Sequence, residues 1–196
     1  MQNKLNLFQQ VRELKGWQAV AYAATLVERM LPNYQLFCEV TEFSDGKQFR
    51  NTLNGIWEWL TVPKAKINFD VQAEKVEQDT PDPDNFDHFG VYPALDVAMS
   101  ITAIIALIQE QDLQGAVVVS KLSQGSVEAF IDATKESEEE LSNQEIRQHP
   151  LMQWELEFQQ ELLEAVSESK SKPEKVKELR AMAKAEGISN IGIEIA

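Results

Sequence analysis

A chain of 196 residues, 43% of them hydrophobic, is long enough to bury a substantial single core, which excludes global disorder and any need for disulfide staples. Its 18 Lys and Arg against 32 Asp and Glu leave a formal charge of −14, a field that repels nucleic acid and anionic membranes at long range. Eight Gly and seven Pro are too few turn residues for a many-stranded β sandwich.

The elements predicted from the chain are helices. The first covers Leu5 to Leu14, with Leu7, Val11 and Leu14 on one face. The second runs from Trp17 to Leu31 and repeats apolar residues at i, i+3 and i+4. Pro32 removes a donor and crowds the preceding turn, so it is expected to kink or restart the helix. A short third helix would then carry Tyr34, Phe37, Cys38 and Thr41 inward.

Ser44 and Asp45 suit the N-cap of a helix from Gly46 to Leu60. Asn68 to Gln78 predicts another, with Phe69, Ala73 and Val76 inward. Asp82-Pro83 reads as a cap followed by a proline at the first helical position. The longest apolar run is Val91 to Ile108, in a central helix expected over about residues 91–109. Pro93, Asp96, Ser100 and Thr102 interrupt it, and no basic residue flanks it, so it is expected as a buried core helix and not as a membrane span.

Gly115 to Thr134 follows, weakened at Gly125. An acidic run, Glu136 to Glu140, reads as a solvated face. Ser142 to Glu145 matches a capping box, as does Ser171 to Glu174. Between them, Trp154, Phe158, Leu162 and Val166 form an apolar stripe. The last helix is expected to end at Gly187, before an extended tail in which Ile191, Ile193 and Ile195 alternate. The expected fold is all-α: one domain, residues 1–196, a compact multi-helix bundle around the central apolar helix.

Charge is uneven. Lys170 to Lys184 holds six basic residues against Glu174 and Glu178, a local +4 on a body of −18, and reads as a basic helix docked beside acidic surface. One cysteine, Cys38, and a start without a signal-type apolar region point to a cytoplasmic location.

Several segments together resemble the YjaG-like family of bacterial proteins, a domain-of-unknown-function family. They are Glu28 to Tyr34 (ERMLPNY), Asp45-Gly46, Ile56-Trp57-Glu58, Asn68-Phe69-Asp70, Phe86-Asp87 with Gly90 to Ala94, Val119-Ser120-Lys121, and Ser189 to Ile193. The resemblance covers nearly the whole chain. It implies a cytosolic helical fold and no particular activity. His88 and His149 depart from the pattern.

No motif for chemistry stands out. Asp84 with His88, and Glu145 with His149, are i, i+4 pairs, but two ligands are too few for a metal site, and no metal or cofactor is expected. Ser167 to Lys170 satisfies Ser-x-x-K in a polar linker with no partner motif. Ala116 to Ile131 has a helix-turn-helix rhythm, yet its would-be recognition helix carries Glu128 and Asp132 and no cation, so no nucleic-acid partner is expected. Cys38 falls on an inner face, where a structural role is expected.

A polar cluster remains. Glu28, Arg29 and Asn33 flank the proline of the second helix, and Asp70, Asp87, Tyr92 and Asp96 surround the turn into the central helix. A buried acid needs a partner, and Arg29 is the predicted partner of Asp96. Two functions follow. One is an interaction or regulatory protein that self-associates, as a homodimer, through an apolar helix face. The other is a small-molecule binder or enzyme with a polar inter-helix pocket at Glu28, Arg29, Asp70, Asp87 and Asp96.

Overall fold

The computed structural model describes residues 6–136, 138–168 and 172–195. Nine α-helices lie among them: α1 (Leu7–Glu13), α2 (Trp17–Thr41), α3 (Lys47–Thr61), α4 (Phe69–Gln78), α5 (Val91–Ile108), α6 (Gly115–Thr134), α7 (Asn143–Gln148), α8 (Pro150–Ser167) and α9 (Lys172–Met182). No strand ladder accompanies them, only one isolated antiparallel bridge, Ile188–Glu194. The second capping box, at Ser171, and the Ser-x-x-K match at 167–170 fall partly outside the described residues.

Local chemistry sets the helix starts. Asn6 and Gln9 exchange side-chain and backbone hydrogen bonds at the head of α1. Asp45 accepts from the Lys47 amide at 3.0 Å and Ser44 from the Gly46 amide at 3.1 Å, opening α3. Asn68 caps α4, and Ser142 with Glu145 forms the expected capping box of α7. Each satisfies amides the helix leaves unpaired. Asp82 caps only a single 3-10 turn, Pro83–Asn85.

The largest departure from expectation is α2. It continues through Pro32 as one helix of 25 residues. A mid-helix proline costs about 3 kcal/mol, but every residue from Ala19 to Tyr34 is buried. Neighbours on all sides hold the helix together, and such packing overrides local propensity. α6 likewise runs unbroken through Gly125, so the helix-turn-helix rhythm contains no turn.

α5 packs against α2, α6, α4 and α3, as expected of the apolar rod. It is long and apolar enough to cross a membrane, but 56% of it is buried inside the bundle, as in the core helix of a soluble protein. Val91, Ala94, Val97, Ala98, Ile101, Ile104 and Ile105 face inward. Tyr92 and Met99, 54% and 47% exposed, lie one heptad apart on the open side.

The tail after α9 turns back on itself. The Ser189 amide donates to the Ile193 carbonyl at 2.7 Å and the Ile195 amide to Gly187. Gly187 and Gly192 take φ of 69° and 84°, the left-handed region open to glycine. Ile191 buries against Val127, Ile131 and Met152, forming a small second core.

α5 and α6 approach closely at Gly115, where a Cβ would stand 2.7 Å from the Ala103 carbonyl oxygen and 2.9 Å from the Leu107 Cβ. Gly115→Ala is therefore expected to destabilise by about 1–3 kcal/mol through overpacking, despite alanine's better helix propensity. Urea unfolding checks this, and an unchanged or higher midpoint contradicts it.

Candidate functional site

The interior holds a connected polar network. Arg29 of α2 is 2% exposed and pairs with the fully buried Glu155 of α8. Its guanidinium lies between the rings of Trp154 and Phe158, 4.1 and 4.2 Å from their centroids, an arrangement that suits a weakly hydrated planar cation. The other Glu155 oxygen accepts from Ser123 Oγ at 2.5 Å and Gln159 Nε2 at 2.7 Å.

Gln159 Oε1 in turn accepts from Ser120 Oγ at 2.6 Å and Tyr22 OH at 3.4 Å. Burial pushes the Tyr22 phenol well above its ordinary pKa, so it stays a neutral donor. Asn190 of the tail donates to the Ser123 carbonyl at 3.1 Å and accepts from Asn33 Nδ2 at 2.9 Å. One chain of hydrogen bonds thus joins α2, α6, α8 and the tail.

At the end of that chain is a pocket of about 490 Å³. Its walls are mainly apolar: Leu36, Phe37 and Val40 of α2, Phe89 and Pro93 at the head of α5, Phe130 of α6, and Ile191 and Ile193 of the tail. Asn33, Asp87 and His88 bring polar groups to it. Asn33 Oδ1 is buried and has no hydrogen-bond donor among the described residues. His88 Nδ1 accepts the Gly90 amide at 3.0 Å.

The predicted cluster is spread over five surroundings. Asn33 and Asp87 share the apolar pocket. Arg29 belongs to the buried network. Glu28, buried, accepts from Arg50 NH1 and Trp57 Nε1, each at 2.7 Å, on a different side of α2; these donors hold its carboxyl below the usual glutamate range against the opposing effect of burial. Asp70 accepts from Gln109 at 2.7 Å at the surface, and Tyr92 is exposed.

Asp96 is half-buried and accepts from Ser126 Oγ at 2.6 Å, so the predicted Arg29–Asp96 pair does not form. Arg29 finds Glu155, which lies on a face of α8 enclosed by α2 and α6. His149 caps α8 by accepting the Leu151 amide. Cys38 is buried, with Sγ 3.5 Å from Ser44 Oγ. No group of three or more His, Cys, Asp or Glu side chains converges among the described residues.

The fold and these sites define a compact all-α protein tied internally by a buried ionic network, with an apolar pocket at one end of it. The chain belongs to the DUF416 family: the family model described as "Protein of unknown function (DUF416)" matches residues 6–194. It is 40% identical over 195 residues to the uncharacterized protein YjaG of Escherichia coli K12, covering 98% of this chain and 97% of that one. It is 36% identical over 191 residues to an uncharacterized protein of Haemophilus influenzae, covering 96% of each. The crystal structure of a DUF416 family protein from Shewanella baltica OS155 superposes with a TM-score of 0.90 at 37% identity, covering 98% of this chain and all of that one.

Glu155→Ala leaves Arg29 buried without its carboxylate and should cost about 3–5 kcal/mol, measured by chemical denaturation; a loss under 1 kcal/mol would contradict the role given to the pair. Burial raises the Asp96 pKa, with Ser126 opposing, so folding disfavours the charged carboxylate relative to the unfolded chain. Asp96→Asn should therefore raise Tm at neutral pH. That gain should shrink as pH falls through the raised pKa toward the ordinary aspartate value, because wild type then carries the neutral acid too. A gain that does not vary with pH contradicts this.

Proposed function

We propose that this is a cytoplasmic binding protein whose apolar pocket receives a small amphipathic molecule with a hydrogen-bond-donating head. The observation that carries the reading is a greasy pocket with Asn33 in its wall, the buried amide oxygen of which has no hydrogen-bond donor among the described residues. Leaving such an acceptor unpaired costs about 1–3 kcal/mol, which a ligand N–H or O–H would recover on turning the Asn33 amide toward the pocket. The size falls in the range of small-molecule pockets, roughly 300–1,000 Å³, as does the mix of apolar wall and few polar groups. Asp87 beside it favours a cationic or neutral head over an anionic one. The reducing cytoplasm suits a chain with a lone buried cysteine.

The test is a thermal-shift titration with 4-phenylbutylamine and, as a charge-reversed control, 4-phenylbutanoate. The amine should raise Tm, by an amount equivalent to about 2.7 kcal/mol at a hundredfold excess over Kd, and the carboxylate should not. Leu36→Lys, a change at an exposed rim position, should abolish the rise. A panel of donor-headed apolar probes that leaves Tm unmoved, or a rise that survives Leu36→Lys, rejects the pocket reading.

A second reading, self-association as a homodimer, is favoured by the open stripe of α5. Tyr92 and Met99 lie on it, and the Phe89 ring is 6.4 Å from Tyr92 and 6.3 Å from Phe130. This apolar surface continues from the pocket rim along the helix, and a stable pair would bury about 800 Å² on each copy. Sedimentation should show a dimer that Met99→Lys converts to monomer. A monomer at every accessible concentration excludes it.

A further inference from the structure

A second cleft, of about 280 Å³, lies on another side of α2 and shares no residue with the apolar pocket. Its lining includes Glu28, Gln35, Arg50, Asn54, Arg180 and Lys184. Glu28 is the only acid among its described lining residues, and its side chain is fully buried at the base. Both of its oxygens are already engaged, Oε1 by Arg50 and Oε2 by Trp57.

Two further cations nevertheless converge there. Lys184 Nζ lies 3.0 Å from Glu28 Oε1. Arg180 Nε stands at 3.6 Å from Oε2, while its NH2 donates to Asn54 Oδ1 at 2.6 Å and its guanidinium sits 5.6 Å from the Trp57 ring centroid. Three positive side chains therefore face one carboxylate.

The surplus of two charges is held together in a molecule whose net charge is −14. One carboxylate does not require it: the ion pair with Arg50 and the indole hydrogen bond already stabilise Glu28. Arg50, Arg180 and Lys184 keep 27%, 36% and 43% of their side-chain surface open to solvent, so their remaining N–H groups can reach a bound anion. Arginine forks and a lysine ammonium grouped on one side are the donor set that clustered phosphate oxygens accept from. A phosphate monoester carries about −1.5 to −2 at neutral pH, close to the local surplus.

We propose that this cleft binds a small dianion, a phosphate or phosphate monoester, held by Arg50, Arg180 and Lys184 above the Glu28 carboxylate. Glu28 acts there as a buried anchor that fixes the three cations in place. The site is independent of whatever the apolar pocket receives.

The test is isothermal titration of the full chain at low ionic strength with inorganic phosphate and, separately, with glycerol phosphate. Saturable one-site binding of either is expected, and the tighter of the two tells free ion from ester. Affinity should fall with added salt. Lys184→Gln and Arg180→Gln should each weaken binding roughly tenfold or more, the loss of one charge-assisted contact. Both positions are partly exposed, so the variants should keep wild-type helicity by circular dichroism. Lys121→Gln, which removes one charge from the distant α6 surface, should bind as wild type. Absence of saturable binding by both anions, wild-type affinity in Lys184→Gln, or an equal loss in Lys121→Gln each overturns the proposal.

Discussion

The pairing of Arg29 with Glu155 is the constraint on which the rest of the packing depends. Two charges are removed from water, at a cost of several kcal/mol each, and their attraction offsets this only when their remaining hydrogen-bonding groups are also met. The structure meets most of them. Ser123 and Gln159 occupy one Glu155 oxygen, and two aromatic faces cover the guanidinium. Sliding α8 by one turn along α6 would move Glu155 about 5.4 Å, away from Ser123 and Arg29 together. An apolar stripe alone tolerates such a slip, whereas a buried charge with fixed partners does not. The network therefore selects one register among several greasy ones.

The same network explains why the tail lies where it does. A segment ending in Ile191, Ile193 and Ile195 has enough apolar surface to stick to the body, but not to choose a site. Asn190 supplies the choice. Fully buried, it bridges Ser123 of α6 and Asn33 of α2, and so seats Ile191 on the second core. Tail, α2 and α5 then become three walls of one pocket. A ligand that satisfies Asn33 would thus bind at the last link of a hydrogen-bonded chain running back to the ion pair.

Much of this was legible in the sequence and some was not, for identifiable reasons. The capping box at Ser142, the apolar α5 and the bounds of α6 follow from local patterns, because each depends on residues within a few positions. The α8 stripe of Trp154, Phe158, Leu162 and Val166 was also readable. Its neighbours were not: Glu155 and Gln159 sit beside that stripe and are fully buried, where an acid and an amide more often meet water. A signal did exist on α6, where Ser120, Ser123 and Ser126 recur every three residues within an apolar helix, as a polar stripe seeking polar partners. Matching Ser120 to Gln159, Ser123 to Glu155 and Ser126 to Asp96 requires pairing over 30 to 39 positions, which no local period encodes. Asn33 and Asp87, which line one pocket, were singled out for the same reason that Asp96 was mispaired: polar residues among apolar ones attract notice, but their partners stay hidden.

The scattering of the predicted cluster is itself a consequence of helix geometry. Consecutive residues on α2 point about 100° apart, so Glu28 and Arg29, neighbours in the chain, cannot serve one cavity. Glu28, Pro32 and Gln35 follow i, i+4, i+7 and line the cationic cleft. Arg29, Asn33, Phe37 and Val40 follow the adjacent stripe, leading from the ion pair to the apolar pocket. Such a division needs a helix that continues through Pro32, because a break there would rotate Asn33 and Gln35 out of phase with Arg29 and Glu28. The burial that carries α2 past its proline is thus also what keeps a polar cleft and a greasy pocket on separate sides of a single rod.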